Sequence, residues 1–310
     1  MAELNLEDIN LAARSPAQMI KNDEIIYHQR ISRIANFITE NKNIKLILLA
    51  GPSGSGKTTT ANLIADEIRR NGEEAKVISL DDFYRDHTDP NYPKNELGDY
   101  DYERPESLNL EKLLGTLSDI VENRPFELPK YDFKLGACVK TQTHPPLDCG
   151  CVIIEGLHAL NPIISNSLPK DKIAKLFVSV STNVNQGGER ILSGRKIRFL
   201  RRLVRDSIYR GSDTLRTLSL WRGVLLAENV YLYPYKHTAD LAFDTFHTFE
   251  LGAMRPYAEK LITEKIAKDN EYLGIVLSAI RKIDVVDEAL IPENSLIREF
   301  ISGGIYNDIY

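Results

Sequence analysis

The sequence has few cysteines and no long apolar run, and these shortages exclude several classes of protein. Its three cysteines, Cys138, Cys149 and Cys151, match no zinc-ligand spacing. An odd number of cysteines without a secretory signal is typical of reduced thiols in a cytosolic protein. No stretch reaches the roughly 18 apolar residues of a membrane-spanning helix, and residues 1–16 lack the apolar centre of a signal peptide. We therefore expect a cytoplasmic protein without a membrane segment.

The sequence also lacks an excess of basic residues. Its 44 Asp and Glu outnumber its 39 Lys and Arg, and the net charge is −5. General nucleic-acid binders depend on basic surfaces that neutralise phosphates, so we expect no nucleic-acid partner. Hydrophobic residues make up 43% of the 310 positions, which is enough for a full apolar core.

Five short apolar runs, separated by helical patterns, predict the fold. Runs that are apolar on both faces are typical of strands in parallel sheets covered by helices. A helical spacing of apolar residues follows the first run and precedes the third. This alternation predicts an α/β protein with a doubly wound, mostly parallel sheet. The predicted strands cover residues 44–50, 75–80, 151–154, 176–180 and, more weakly, 239–243.

Segments on both sides of this core predict helical additions at both ends. Isoleucine and alanine residues at i, i+3, i+4 and i+7 predict a helix over residues 24–41. After Phe249 the strand patterns stop, and amphipathic stretches predict packing helices. We therefore expect an N-terminal helical extension of residues 1–41, a core of residues 42–248 and a C-terminal helical segment of residues 249–310.

The segment GPSGSGKT (residues 51–58), which we call the phosphate loop, lies between the first predicted strand and a helix. It fits the pattern G-x-x-x-x-G-K-[ST], in which backbone N–H groups and the positive end of the helix surround a diphosphate. Lys57 would bind the β- and γ-phosphates, and the Thr58 hydroxyl would hold Mg²⁺. A flexible surface loop is the alternative. The predicted ATP-binding residues here are Gly51, Ser53, Gly54, Ser55, Gly56, Lys57, Thr58 and Thr59.

Carboxylates follow two of the other predicted strands. Asp81 comes directly after the second strand, at the edge where open α/β sheets bind their ligands. It could accept the proton of an acceptor hydroxyl or help to hold Mg²⁺, and a turn that caps a helix is the alternative. Glu155 ends the third strand, where burial without a partner would be costly. Metal coordination and pairing with a nearby Lys or Arg both explain it.

One dense basic stretch, residues 193–211, stands out in an otherwise acidic chain. On a helix, Arg198, Arg201 and Arg205 fall on one stripe. Such a stripe is usually a solvated face, but beside a phosphate loop it could close over ATP and stabilise charge on the transferring phosphoryl group. The sequence leaves both interpretations open. No N-K-x-D guanine motif occurs, which disfavours a GTPase.

Six segments in this order resemble the uridine/cytidine kinase family, which belongs to a wider group with phosphoribulokinase and bacterial pantothenate kinase. They are GPSGSGKTT, SLDDFY, YDYERPESL, LPKYDF, VIIEGLHAL and RFLRRLVRDSIYRG, within about residues 44–245. The phosphate loop is shared by many families, whereas the ordered set is far more specific. The resemblance implies a P-loop NTPase-type fold and an ATP- and Mg²⁺-dependent kinase with a small-molecule acceptor. The resemblance leaves open whether the protein forms a homo-oligomer.

The resemblance also implies catalytic roles for single residues. Asp81 would be the general base on the acceptor hydroxyl, and Lys57 would bind the ATP phosphates. Thr58 and Glu155 would lie on the Mg²⁺ side. A lid over ATP would be formed by Arg198, Arg201 and Arg205, of which Arg201 and Arg205 are predicted to be catalytic.

For the acceptor, the resemblance implies that Glu103, or Asp101 nearby, binds a ribose and that Tyr131 contacts the base. Asp81 and Tyr84 complete the predicted substrate-binding residues. Two departures from the family matter here. Asp82 stands where members often have serine, and Gly136 stands where nucleoside kinases of the family carry a base-reading histidine.

The charge of residues 81–106 favours an uncharged acceptor. This segment contains nine Asp and Glu but three Lys and Arg. A site for a sugar phosphate would be expected to contain more basic residues. An acidic wall accepts hydrogen bonds from hydroxyl groups. The leading interpretation is phosphorylation of the 5′-hydroxyl of a nucleoside. The alternatives are a kinase of the same fold that acts on another small alcohol or sugar, and a non-catalytic regulatory ATP-binding protein.

Overall fold

Five parallel strands form the central sheet, and they coincide with the five predicted apolar runs. A computed structural model describes residues 2–94, 98–147 and 149–306. The strands in these residues are β1 (Glu3–Asn5), β2 (Leu46–Ala50), β3 (Glu74–Ser79), β4 (Phe126–Asp132), β5 (Ala137–His144), β6 (Gly150–Glu155), β7 (Ile173–Ser179), β8 (Asn183–Gln186), β9 (Glu189–Leu192) and β10 (Leu241–Asp244).

Helices cover the sheet and make up most of both chain ends. The predicted helix over residues 24–41 begins earlier, because Pro16 occupies a first-turn position where its missing N–H costs nothing. The helices are α1 (Leu6–Ala13), α2 (Pro16–Glu40), α3 (Lys57–Arg70), α4 (Leu110–Val121), α5 (Pro162–Ser165), α6 (Gly194–Arg210), α7 (Thr214–Tyr231), α8 (Glu250–Leu261), α9 (Glu264–Asp269), α10 (Glu271–Ile280) and α11 (Arg298–Ile301).

The central sheet has the strand order β10-β7-β2-β6-β3, and every neighbouring pair is parallel. The α/β prediction is therefore confirmed. From β2 the chain builds β3 and β6 on one side and then β7 and β10 on the other. Ligands of open α/β sheets bind at the carboxyl ends of the strands beside such a reversal. The phosphate loop, Asp81 and Glu155 all lie at this edge.

Alternate residues of β2 face two separate apolar cores. Ile47 and Leu49 join the core that holds the buried faces of α2, α3, α6, α8 and α10. Leu46 and Leu48 join a smaller core with α4. All five residues of β2 are buried, as the uninterrupted apolar run predicts for a central parallel strand.

Both chain ends pack on the sheet and its helices. Ile31 of α2 and Leu251 of α8 belong to the same apolar core as Ile64 of α3. In addition, β1 pairs in parallel with β8. The division of the chain at residues 41 and 248 stays a prediction.

Two smaller sheets are absent from the sequence prediction. Strands β4 and β5 form an antiparallel hairpin, and β1, β8 and β9 form a three-stranded sheet. Strand β5 is exposed or half-buried along its whole length, so it lacks the apolar pattern that marks a buried strand. None of the helices in the described part of the chain combines the length and apolarity required to span a bilayer.

The shared core predicts that α2 contributes to global stability. Ile31 is 2% exposed, whereas Ile25 on the same helix is 46% exposed. Ile31→Ala is expected to lower the free energy of unfolding by about 2–5 kcal/mol, because it leaves a cavity in the core. Ile25→Ala should change it by less than about 0.5 kcal/mol. Urea unfolding of both variants measures this, and equal stabilities would contradict the shared core.

Candidate active site

The phosphate loop connects β2 to α3 through two left-handed glycines. Gly54 and Gly56 have φ of +73° and +78°, a region that other residues rarely adopt. Helix α3 begins at Lys57, directly after Gly56. The strand–loop–helix context that the motif requires is therefore present.

Side chains from α6 and from the loop after β10 bind the carbonyl groups of the phosphate loop. Arg198 Nη1 donates to the carbonyl of Ser53 at 2.8 Å. Arg201 Nη1 donates to that of Gly54 at 3.2 Å, and the Thr245 hydroxyl donates to that of Ser55 at 2.8 Å. Because C=O and N–H point in opposite directions across a trans peptide, these bonds turn the N–H groups of Gly54 and Gly56 toward the other side of the loop.

The structure corrects the prediction of a lid for Arg198 and Arg201. Both side chains are fully buried, with 1% and 0% exposure. Arg198 pairs bidentately with Glu228 at 2.7 and 2.8 Å, and Arg201 pairs with Glu250 at 2.9 and 2.6 Å. They lie beneath the loop and are neither a solvated face nor an open lid. Their carboxylate partners are 30 and 49 residues away in sequence, so helical spacing could not reveal them.

Two other arginines of α6, Arg202 and Arg205, are largely buried near the loop, and both pair with Asp206. Arg202 Nη1 donates to the Ser53 hydroxyl at 3.0 Å, and its charge acts on Glu103. Arg205, predicted for the lid, is 8% exposed and lies 3.9 Å from Glu299. Its charge also acts on Asp81. The sequence prediction had not assigned Arg202 a role, although its position beside the stripe was a signal.

Glu155 lies within reach of both Lys57 and Thr58. The Thr58 hydroxyl donates to Glu155 Oε1 at 3.3 Å. Burial raises the pKa of Glu155 to about 7, the positive charge of Lys57 opposes this rise, and the nearby Asp81 adds to it. The structure therefore brings together the predicted phosphate-binding lysine, the predicted base and the two predicted Mg²⁺ ligands. No group of three or more metal-ligating side chains occurs within residues 2–94, 98–147 and 149–306.

Asp81 and Glu103, the two carboxylates predicted for the acceptor, lie near enough for the charge of Asp81 to act on Glu103. Asp81 lies in a short turn after β3, and its side chain is exposed. Burial raises the pKa of Glu103 to about 7, the charge of Arg202 opposes this rise, and Asp81 adds to it. Asp101, the competing prediction, accepts a hydrogen bond from the Glu103 backbone at 3.0 Å. One carboxylate oxygen of Asp101 is therefore already engaged with the backbone.

Four aromatic side chains, which we call the aromatic wall, line the same region: Tyr84, Tyr102, Tyr131 and Phe133. The ring of Tyr84 lies 5.5–5.7 Å from the other three ring centroids. The Tyr84 hydroxyl donates to the Tyr102 carbonyl at 2.8 Å. Tyr131 Oη is buried without a hydrogen-bond partner in the structure. The sequence prediction named Tyr84 and Tyr131 and missed the other two.

A histidine from a different segment occupies the space beside Gly136. Any Cβ at Gly136 would overlap the His87 ring, and the φ of +64° also favours glycine. His87 stacks on Tyr100 with ring centroids 3.9 Å apart, and its Nε2 lies 2.6 Å from Tyr102 Oη. A side chain at position 136 would therefore collide with the imidazole of His87. No local pattern links these two positions, which are far apart in the chain.

Comparison with known proteins agrees with this geometry. The model of the Phosphoribulokinase / Uridine kinase family matches residues 46–251. The chain belongs to this family. The match covers the central sheet from β2 to β10, so the chain is a kinase of the phosphoribulokinase/uridine kinase type. The resemblance stated from the six segments is confirmed.

Individual relatives cover similar parts of this kinase. A uridine kinase of Lactobacillus helveticus is 30% identical over 199 residues, which are 63% of this chain and 84% of that enzyme. A uridine kinase of Schizosaccharomyces pombe is 28% identical over 193 residues, but the match spans only 37% of that protein. A solved structure from Silicibacter sp. TM1040, described as a candidate fructose transport system kinase, superposes with a TM-score of 0.51 at 19% identity. It covers 69% of this chain and 98% of its own, and it shows the shared fold.

The burial of Arg201 predicts a structural effect of its removal. Arg201→Ala leaves Glu250 buried without its partner, so the free energy of unfolding should fall by about 3–5 kcal/mol. Arg195 on the same helix is exposed, and Arg195→Ala should change stability by less than about 0.5 kcal/mol. Thermal and urea unfolding test both variants. If Arg201→Ala has normal stability and a strongly reduced kcat, the result would instead support the prediction that Arg201 belongs to a lid.

Proposed function

We propose that this kinase transfers the γ-phosphoryl group of ATP to the 5′-hydroxyl of a nucleoside. The observation that carries the proposal is that Asp81 and Glu103 lie near enough for their charges to act on each other and on Tyr84 of the aromatic wall. One carboxylate is available as a base, and the second can bind a vicinal diol through charge-assisted hydrogen bonds. The names of the relatives as uridine kinases support the same acceptor class.

The donor side fits ATP and Mg²⁺. Lys57 and the N–H groups of the phosphate loop would bind the phosphates. Glu155 is buried next to the Thr58 hydroxyl, and burial alone disfavours its charged form. A divalent cation would favour that charge, so this donor set fits Mg²⁺ held by one carboxylate, one hydroxyl and nucleotide oxygens. When bound, Mg²⁺ would neutralise charge on the β- and γ-phosphates.

The acceptor side fits a sugar that carries an aromatic base. Asp81 would accept the proton of the 5′-hydroxyl as that oxygen attacks the γ-phosphorus. Glu103 would accept hydrogen bonds from the ribose hydroxyls. The base would pack on the aromatic wall, where the hydroxyls of Tyr84 and Tyr102 already contact protein groups.

This wall offers few polar groups that discriminate among bases. His87 Nδ1 faces the Gly136 backbone, and its Nε2 contacts Tyr102. Tyr131 Oη is the one wall hydroxyl without a partner among the described residues. Recognition by stacking tolerates different bases, so we expect purine as well as pyrimidine nucleosides to be accepted.

The proposed role of Glu103 predicts discrimination against deoxyribose. A 2′-deoxynucleoside should show a kcat/KM lower by about 10- to 150-fold, because one hydrogen bond to a partly buried carboxylate is lost. Glu103→Gln should bring the ratio of kcat/KM for the ribonucleoside to kcat/KM for the deoxynucleoside close to one. Asp101→Asn should leave this ratio unchanged. Steady-state kinetics with paired ribo- and deoxynucleosides, purines included, measure the ratio. Turnover of another small alcohol without turnover of any nucleoside would contradict the proposal and leave only the kinase chemistry.

The proposed base predicts a second kinetic effect. Asp81→Asn keeps the shape of the side chain but cannot accept a proton, so kcat should fall by about 10²-fold or more with little change in acceptor KM. Asp82→Asn is a matched comparison, because Asp82 is directed to the hairpin, where it accepts from the Tyr131 backbone and pairs with Lys130. Its kcat should stay within about threefold of the unmodified enzyme. Equal effects of the two substitutions would exclude Asp81 as the base.

A further inference from the structure

The C-terminal part of the chain crosses the first turn of α3, next to the phosphate loop. We call residues 288–301 the C-terminal strap; it ends in α11. The Glu299 side chain is 4% exposed. Its Oε2 accepts hydrogen bonds from the Thr59 backbone N–H at 3.2 Å and from the Thr59 hydroxyl at 2.8 Å. A carboxylate of the chain itself therefore binds the beginning of the helix that follows the loop.

The position of Thr59 gives this contact a consequence for ligand binding. Helix α3 begins at Lys57, so the N–H of Thr59 is among the first four that have no acceptor within the helix. In phosphate loops, such N–H groups at the helix start bind nucleotide phosphates. Thr59 is one of the residues predicted to bind ATP. Glu299 and a nucleotide phosphate are thus two anions that require the same donors.

Packing holds the C-terminal strap in this position. Leu296 lies against Gly56, where an added Cβ would come within 2.6 Å of Leu296 Cδ1. Leu296 and Phe300 are fully buried, and the Arg201 guanidinium lies 5.0 Å from the Phe300 ring centroid. Buried side chains of the C-terminal strap therefore hold the Glu299 carboxylate beside the phosphate loop.

The charges around Glu299 make a second anion unfavourable. Arg205 Nη1 lies 3.9 Å from Glu299 Oε1, and the same guanidinium donates hydrogen bonds to Asp206 Oδ1 at 3.3 Å. A nucleotide phosphate at Thr59 would add negative charge at contact distance, where repulsion in a site with little water is strong.

We propose that Glu299 belongs to the phosphate-donor site and competes with the nucleotide for Thr59. ATP binds by displacing the Glu299 carboxylate, and nucleotide affinity is held below the value that the loop alone would reach. The inference rests on the proposed ATP site at the phosphate loop and does not depend on the identity of the acceptor.

The test is nucleotide affinity without turnover. Isothermal titration calorimetry with MgADP compares the unmodified kinase with Glu299→Gln, which removes the charge and keeps the shape. We expect the Kd of Glu299→Gln to be lower by roughly fivefold or more, because the competing charge is gone. Glu293→Gln makes the same change at an exposed position of the C-terminal strap and should alter the Kd by less than about twofold. An unchanged or higher Kd for Glu299→Gln would overturn the proposal, because Glu299 would then support the loop.

A second measurement uses only the unmodified protein. Displacement of Glu299 should accelerate hydrogen–deuterium exchange of backbone amides in residues 295–301 when MgADP is added. Slower exchange there would mean that the strap tightens on the nucleotide and would overturn the proposal even if Glu299→Gln failed to fold. If neither the unmodified kinase nor the variants bind MgADP, the proposed ATP site is wrong. If all of them bind MgADP with the same affinity, the ATP site is supported and only the competition by Glu299 is wrong.

Discussion

Two buried ion pairs beneath the phosphate loop set the geometry on which the site depends. Arg198 with Glu228 and Arg201 with Glu250 leave their remaining N–H groups for the carbonyls of Ser53 and Gly54. A loop rich in glycine has many conformations, and binding its carbonyls on one side selects the one that directs N–H groups to a ligand. Removing one partner of such a pair leaves an uncompensated buried charge, so the pairs also tie the loop to global stability.

Charges of both signs act on one another near these pairs. Lys57 and Arg205 act on Asp81, and Arg202 acts on Glu103. Two carboxylates, Glu103 and Glu155, have a pKa raised to about 7, because each is buried near other acids. A nearby cation would lower both pKa values, which is consistent with the Mg²⁺ and the acceptor hydroxyls that we propose for this site.

Residues outside the family match contribute to the surroundings of the loop. The family model ends at residue 251, yet Glu299 binds Thr59 and Leu296 packs on Gly56. At the other end, Tyr27 of α2 lies 2.7 Å from the Thr60 hydroxyl. Both chain ends therefore contact the phosphate loop or the first turn of the helix that follows it.

The five strands of the central sheet, the phosphate loop and the carboxylates at the strand ends were predictable from the sequence. Each of these depends on a local pattern, an apolar run or a motif bounded by a strand and a helix. The burial of Arg198 and Arg201 was visible only in the folded chain, because a helical stripe does not show whether Glu228 and Glu250 pair with it. The same holds for His87 beside Gly136 and for Glu299 on Thr59. Their partners are distant along the chain, and only the packing of separate elements brings them into contact.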